Sequence, residues 1–567
     1  MRERAKWFLS AGTLAAGIGL IAVACSGGNK RSADEPVNAA TTRPAAESSH
    51  FANFKVAYDA ATDFLDPGLA QSGEAGQIMW NVYLPLLGYK HVSGPDGATI
   101  VPYLARDMPK ISADGKTYTL TLRKGLVYSN GKRVKASDFR YAVERDFQID
   151  SPGVAFFTNI VGAARYGETR KGSIEGIVAN DRTGQITIRL EQPQADFVNV
   201  LATEFAAPIP ADTPLKDQST NPIPSTGPYT IHSYNPTKSI VVVRNPHWRR
   251  NSAAGINEVP TGNPDRMTFT IYRSDAVALQ STIDGKNDYD FSQPPANRLA
   301  EVKSKFSRQL RTYVPGNTYY FFMNRRVAPF KHLAARRAVE YGIDRNAIVQ
   351  LYGGLAVATE NLLPPTYPQF TRLRLYPYNL AKARALVRRC GCARVPITVW
   401  TNTLGANPKA SGYLVTQLTN MGFERVRLKI VSSAVYWTTI GNQATKAQIG
   451  LADWLQDYPH PLDWFDVLVN GRRIAKTNNG NYGNVDDPRI NGLIEELKRA
   501  PKLTPRVNRQ WARVDRLLDQ DAGVAAFLNR RYIHFFSSAM DLSGGCYVNH
   551  VLYSLDYAQV CKAAPGG

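Results

Sequence analysis

The sequence predicts a mixed α/β protein built as several lobes. Three observations carry that reading. Strand-like and helix-like stretches alternate from Phe51 to the C-terminus. The chain has 567 residues, a length that suits about three or four domains. After Phe51 there is no apolar run of about 20 residues, the length that a membrane helix needs. Hydrophobic residues make up 44% of the chain and charged residues 20%, ordinary globular values. Gly and Pro, 43 and 35 in number, are too few for a fibrous or low-complexity chain. The formal net charge is +21, and the excess is not gathered in one tail.

The N-terminus indicates export. Met1–Lys6 is basic, Trp7–Ala24 carries no charge, and small residues lead to a break at Cys25. These are the parts of a secretory signal over residues 1–24. Residues 25–50 are rich in Ala, Ser, Thr, Glu and Pro with no apolar period, the composition of a flexible tether.

The body begins with strand signals. Lys116–Leu122 (KTYTLTL) alternates polar and apolar residues, and the turn pair Asp114-Gly115 precedes it. A second strand piece spans Leu126–Tyr128, before Asn130-Gly131. Ser137-Asp138 then caps a helix over Phe139–Phe147. Gly184–Leu190, Ser239–Arg244 and Met267–Tyr272 read as further strands. Ser274 and Asp275 open a helix, Ala276–Ile283, that stops at Gly285. Further helices are expected over His332–Tyr341, Asn346–Leu351, Leu380–Arg389, Asp487–Arg499 and Arg506–Leu518.

Besides Cys25 the chain has four cysteines. Cys546 and Cys561 enclose a short C-terminal loop and are the pair expected to form a disulfide in an exported chain. Cys390-Gly391-Cys392 either closes on itself or stays reduced. No histidine cluster accompanies either pair, so no metal site is expected.

Several segments resemble one family, the extracytoplasmic oligopeptide- and dipeptide-binding proteins of ABC importers, solute-binding protein family 5. The Ala22-Val23-Ala24-Cys25 break resembles a bacterial lipobox, with Cys25 as the lipidated residue. Asp59–Pro67 (DAATDFLDP) resembles the family's opening strand. Pro102–Asp138 resembles its leucine-arginine strand, glycine turn and Ala-x-Asp cap. Ser225–Trp248, Thr318–Pro365 and Asp453–Phe465 (DWLQDYPHPLDWF) follow in family order.

The resemblance implies an α/β, two-lobed periplasmic-binding-protein type II fold with an extra domain (cluster C). Lobe I would comprise 51–78, 206–312 and 530–567, the extra domain 79–205 and lobe II 313–529. Ligand would lie between closing lobes. It also implies site residues. Asp457 would meet a peptide's amino terminus, with Trp454, Leu455 and Tyr458 beside it and Asp463 and Asp466 as nearby acids. Gln71–Ala75 would be a second ligand-facing strand, its backbone at Ser72, Gly73 and Glu74 pairing with the ligand. Ser292 and Gln293 would add hydrogen bonds, and Phe156 would reach in from the extra domain. Where some oligopeptide binders place an arginine upstream of the Trp-x-x-Asp segment, this chain has Ile449, Gly450 and Leu451. Recognition of a free carboxyl end at a fixed distance is therefore not expected.

No enzymatic signature appears: no His-Glu-x-x-His, no Gly-x-Ser-x-Gly and no Rossmann glycine pattern. The functional expectation is a monomeric, lipid-anchored receptor outside the cytoplasm that hands oligopeptides to an ABC permease. It needs no cofactor and no nucleic acid. The alternative within the fold is a non-peptide solute: a glycan, siderophore, nickel chelate or antibiotic. An exported hydrolase or a signalling receptor would need a nucleophile–base pair or an output domain, and neither is evident.

Overall fold

The computed structural model describes residues 50–564, apart from 60, 61, 296, 478 and 501. The signal segment and Cys25 lie outside the described residues. Two large sheets and one small sheet organise the chain. The first sheet has seven strands, in the order Leu310–Tyr313, Tyr532–Phe536, Tyr289–Asp290, Phe54–Tyr58, Arg266–Ile271, Ser239–Arg244 and Tyr229–Asn235. The second has six: Ala356–Ala358, Val524–Arg530, Asn317–Met323, Ile449–Leu455, Ile397–Asn402 and Val426–Val431. A four-stranded sheet, with Thr117–Thr121 and Gln185–Arg189 at its centre, builds a separate core. This is the two-lobed α/β architecture with an additional domain.

The strands form where the sequence alternates. In Asn317–Met323 all seven residues are buried. Tyr319, Phe321 and Met323 enter the core on one face, and Tyr320 and Phe322 the core on the other. Side chains in a strand alternate between faces, so a strand covered on both sides must be apolar throughout. The helices close where local chemistry demands. Ser274 accepts from the Val277 N–H at the start of Asp275–Ile283, and Gly285, at φ +72°, follows the helix end.

Two local expectations need correction. The helix expected from Phe139 begins at Ala136, and Asp138 sits one turn inside it, its carboxylate accepting from the Lys135 N–H. Leu126–Tyr128 contributes only an isolated bridge, Val127 with Arg133, because the turn follows at once. Of the cysteines, Cys546 and Cys561 lie at bonding distance with Cα atoms 5.1 Å apart, as do Cys390 and Cys392 at 5.2 Å.

The extra domain is fastened to the first lobe by a buried ion pair. Arg145, on helix Ala136–Gln148, donates to both oxygens of Asp66, at 3.0 and 2.6 Å. Both side chains are fully buried. Arg145 also donates to the carbonyls of Pro214 and Lys216, and Asp66 accepts from the Gln218 N–H. A buried pair with its remaining bonds filled holds; a broken one leaves an uncompensated charge. Arg145→Met should therefore cost about 3–5 kcal/mol of stability, read as a fall in denaturation midpoint by circular dichroism. Arg165→Met, which breaks an exposed pair with Glu175, should leave that midpoint nearly unchanged.

Candidate functional site

Topology places the cleft. In the first sheet, Phe54–Tyr58 runs parallel to Arg266–Ile271 and Tyr289–Asp290. In the second, Ile397–Asn402 runs parallel to Val426–Val431 and Ile449–Leu455. Among the described residues, two connections pass between these sheets: Tyr313 to Asn317 and Arg530 to Tyr532. Both passages lie at the carboxyl ends of the parallel strands, because Asn317 pairs with Leu455 and Phe535 with Asp290. The carboxyl ends of both sheets therefore face one another across the crossing, and ligands bind in such crevices in α/β sheets.

Strand Ile449–Leu455 delivers the Trp454–Tyr458 segment to this edge, although Gln456, Asp457 and Tyr458 lie beyond the strand's end. Asp463, buried on the next helix, organises the bend. Its Oδ2 accepts from the Trp454 indole N–H at 3.2 Å and from the Asp457 backbone N–H at 3.1 Å. Leu455 is 60% exposed, and Asp457 is exposed beside it. The Asp457 carboxyl is pushed up to about 6 by desolvation.

Asp457 acts on one acid from a distant segment, Glu204, and Asp63 acts on both Glu204 and Glu74. Glu204, half-buried in the extra domain, is pushed up to about 7, by desolvation first and then by the charges of Asp457 and Asp63. Glu74 is raised by desolvation, with Asp59 and Asp63 adding repulsion. Among the described residues, no Lys, Arg or His forms an ion pair with Asp63, Glu74, Glu204 or Asp457. Beside Glu204, Trp80, Tyr89, Tyr103 and Tyr553 wall a narrow aromatic pocket. Neither Glu204 nor Trp80 belongs to a local sequence pattern that marks a site.

The other expected residues fall into two groups. Trp454 and Leu455 share the cleft edge with Asp457. Tyr458, Gln293, Ser292 and Phe156 are engaged in the scaffold. Tyr458 is buried and donates to Asp196 Oδ2 at 2.5 Å, joining the second lobe to the extra domain. Phe156 packs edge-on against the same Tyr458 ring at 6.2 Å. Gln293 spends its amide on the crossing strand, Nε2 donating to the Ile533 carbonyl and Oε1 accepting from the Ile533 N–H. Ser292 is buried, its N–H donating to Asp290. Asp466 pairs with Arg473 and Lys498.

The expected strand at Gln71–Ala75 is overturned. Ser72 caps helix Gly73–Val82, its side chain accepting from the Ala75 N–H, so Gly73 and Glu74 form the helix's first turn. Asp63 fixes this start by accepting from the Gln71 N–H, the Ser72 N–H and the Ser72 hydroxyl. Serine at an N-cap outweighs strand formation here because it satisfies a donor that the helix start would leave open. Backbone pairing of this segment with an extended ligand is thereby removed.

The charge on Asp457 should add to the desolvation that raises Glu204. Asp457→Asn should lower the Glu204 midpoint from about 7, followed by carboxyl infrared difference spectra across pH. An unmoved midpoint would mean that desolvation and Asp63 set it without Asp457.

A family model described as bacterial extracellular solute-binding proteins, family 5, middle region, matches residues 99–476. Among curated relatives, Heme-binding protein A of Haemophilus influenzae is 24% identical, covering 74% of this chain and 78% of that protein. The periplasmic oligopeptide-binding protein OppA of Salmonella typhimurium is 22% identical over the same shares. Among solved structures, the clavulanic acid biosynthesis oligopeptide binding protein 2 superposes with a TM-score of 0.82 at 24% identity, covering 91% of this chain and 96% of that one. With the family match spanning most of its length, the two sheets facing across a double crossing are those of a bacterial extracellular solute-binding protein, and the chain belongs to family 5.

Proposed function

We propose that the protein is a peptide receptor, lipid-anchored at Cys25, that captures oligopeptides between its lobes and passes them to an ABC permease. It performs no chemistry; its work is capture, closure and release. One observation carries the reading: Asp457, presented at the cleft edge with Glu204 in its field and, among the described residues, no paired cation. A peptide's ammonium group supplies the missing charge, and a charge-assisted hydrogen bond to Asp457 holds it. Trp454 and Leu455 form the apolar wall beside it. Relatives named for oligopeptide, di/tripeptide and glutathione binding support a peptide ligand. The chain's Ile449-Gly450-Leu451 in place of an upstream arginine suits ligands whose carboxyl end is not held at that point.

The lobes would close about the passages at Tyr313–Asn317 and Arg530–Tyr532, with lobe boundaries near 312 and 530. In the oxidising exterior, Cys546–Cys561 and Cys390–Cys392 would both be disulfides.

The test is native mass spectrometry of the purified protein followed by denaturing release. A ladder of peptide masses, absent from Asp457→Ala, is the expected result. A single defined non-peptide mass would overturn the peptide reading and leave the fold standing. N-terminal acetylation of a bound peptide should weaken it about 10- to 100-fold, the loss of one hydrogen bond to a charged group.

The pH dependence has a definite sign. The ammonium needs Asp457 ionised, and its carboxyl sits at about 6. Affinity should therefore rise as pH is raised through about 6 and level off above it. Calorimetry near that pH should register proton release on binding, since the ammonium draws the carboxyl's midpoint down. Affinity that stays flat from below to above that midpoint would remove Asp457 from the amine site.

A further inference from the structure

The net positive charge is concentrated. Residues 361–452 contain 12 Lys and Arg and a single acid, Glu424, and so carry +11 of the chain's +21. The fold gathers half of these cations on one end of the second lobe. Helix Leu380–Cys390 ends at Arg388 and Arg389, and Gly391, at φ +64°, turns the chain. Arg394 follows and reaches Glu424 at 3.6 Å. The Ala393 carbonyl accepts from the Glu424 N–H, and the Arg425 carbonyl from the Ile397 N–H, so the two turns lie side by side. Arg427 and Lys429 continue the surface along strand Val426–Val431. Arg388, Arg389, Arg394, Arg425, Arg427 and Lys429 are all exposed.

Strand Val426–Val431 is the edge of its sheet. Charges at Arg427 and Lys429 serve to keep such an edge from pairing with another chain. The arginines at 388, 389, 394 and 425 lie off the strand, on the helix end and the turns, where no edge needs protection. They surround the amino ends of Ile397–Asn402 and Val426–Val431, the end of the sheet opposite the ligand cleft.

We propose that this arginine-rich end of the second lobe is a docking surface for anionic phospholipid headgroups. Guanidinium groups match phosphate oxygens with paired donors, and an open array of them suits a headgroup plane. Contact at this end leaves the cleft's carboxyl ends free. The proposal is independent of the peptide reading. It uses the lipid anchor only to explain why the surface meets a bilayer, and the test requires no anchor.

The described fold begins at His50, so a chain from Ser26 onward, without an acyl group, keeps all of it. Its sedimentation with phosphatidylcholine vesicles, with and without phosphatidylglycerol, measures the contact. Binding should be stronger to the anionic vesicles by about tenfold or more at low salt and should fade as salt rises. The combined variant Arg388→Glu, Arg389→Glu, Arg425→Glu, Arg427→Glu should lose about tenfold or more of that binding. A control with the same charge change in the extra domain, Lys110→Glu, Arg133→Glu, Lys171→Glu, Arg182→Glu, should lose less than about threefold. Circular dichroism checks the fold, and the corresponding Arg→Gln set repeats the test should the reversal unfold the lobe. Equal loss in patch and control variants would show attraction by bulk charge alone and overturn the assignment, as would equal binding to both vesicles. Peptide affinity should be unchanged in the patch variant, so failure here and failure of the peptide reading remain distinguishable.

Discussion

Every feature of the ligand cleft depends on how two strands leave one sheet and enter another. Asn317 makes that crossing possible. Its side chain accepts from the Arg530 N–H at 2.8 Å and donates to the Arg530 carbonyl at 3.1 Å. Asn529 returns the favour, donating to the Asn317 carbonyl and to the Thr318 hydroxyl. Where strands diverge, ladder hydrogen bonds are lost, and buried backbone groups must find other partners. The two asparagine amides provide them. Around this knot, Arg530 lies over the rings of Tyr319, Tyr352 and Tyr532 at 5.0–6.0 Å. The crossing is thus a compact, hydrogen-bonded unit with a large sheet on either side, and the cleft is what remains between their carboxyl ends.

The electrostatics of the molecule divide along the same line. A chain of net charge +21 presents carboxylates at its cleft and arginines at the far end of its second lobe. Asp63, Glu74, Glu204 and Asp457 come from four segments, and burial together with mutual repulsion raises the protonation midpoints of Glu74 and Glu204. Such an arrangement costs stability unless something cationic relieves it. Storing that repulsion is a reasonable device for a receptor whose ligand brings the relieving charge. Elsewhere in the scaffold, two buried ion pairs do bring opposite charges together. Arg145 meets Asp66, and Arg345 meets Glu340 at 2.5 Å.

Local pattern carried much of the fold. Ser239–Arg244 forms the strand expected of it because its alternation is matched by a half-buried sheet position. The Ser274 cap and the Gly285 stop were legible because caps act over three or four residues. Gln71–Ala75 misled for the opposite reason. Its cap, Ser72, is held by Asp63, and the resemblance drew attention to a strand where the local chemistry starts a helix. Gln293 and Tyr458 lay in the right segments, but their partners, Ile533 and Asp196, are 240 and 262 residues away.

The sequence by itself determined the alternation of elements, the strand with apolar residues on both faces, the Trp454-to-Asp457 segment and the excess of lysine and arginine over acid. These are set by side chains acting on near neighbours. The tertiary structure alone decided that Glu204 stands in the field of both Asp457 and Asp63, that Gln293 belongs to the crossing, and that Arg388 and Arg425 share a surface. Coulomb interactions and hydrogen bonds depend on distance in space, and the chain passes through both lobes before those distances close.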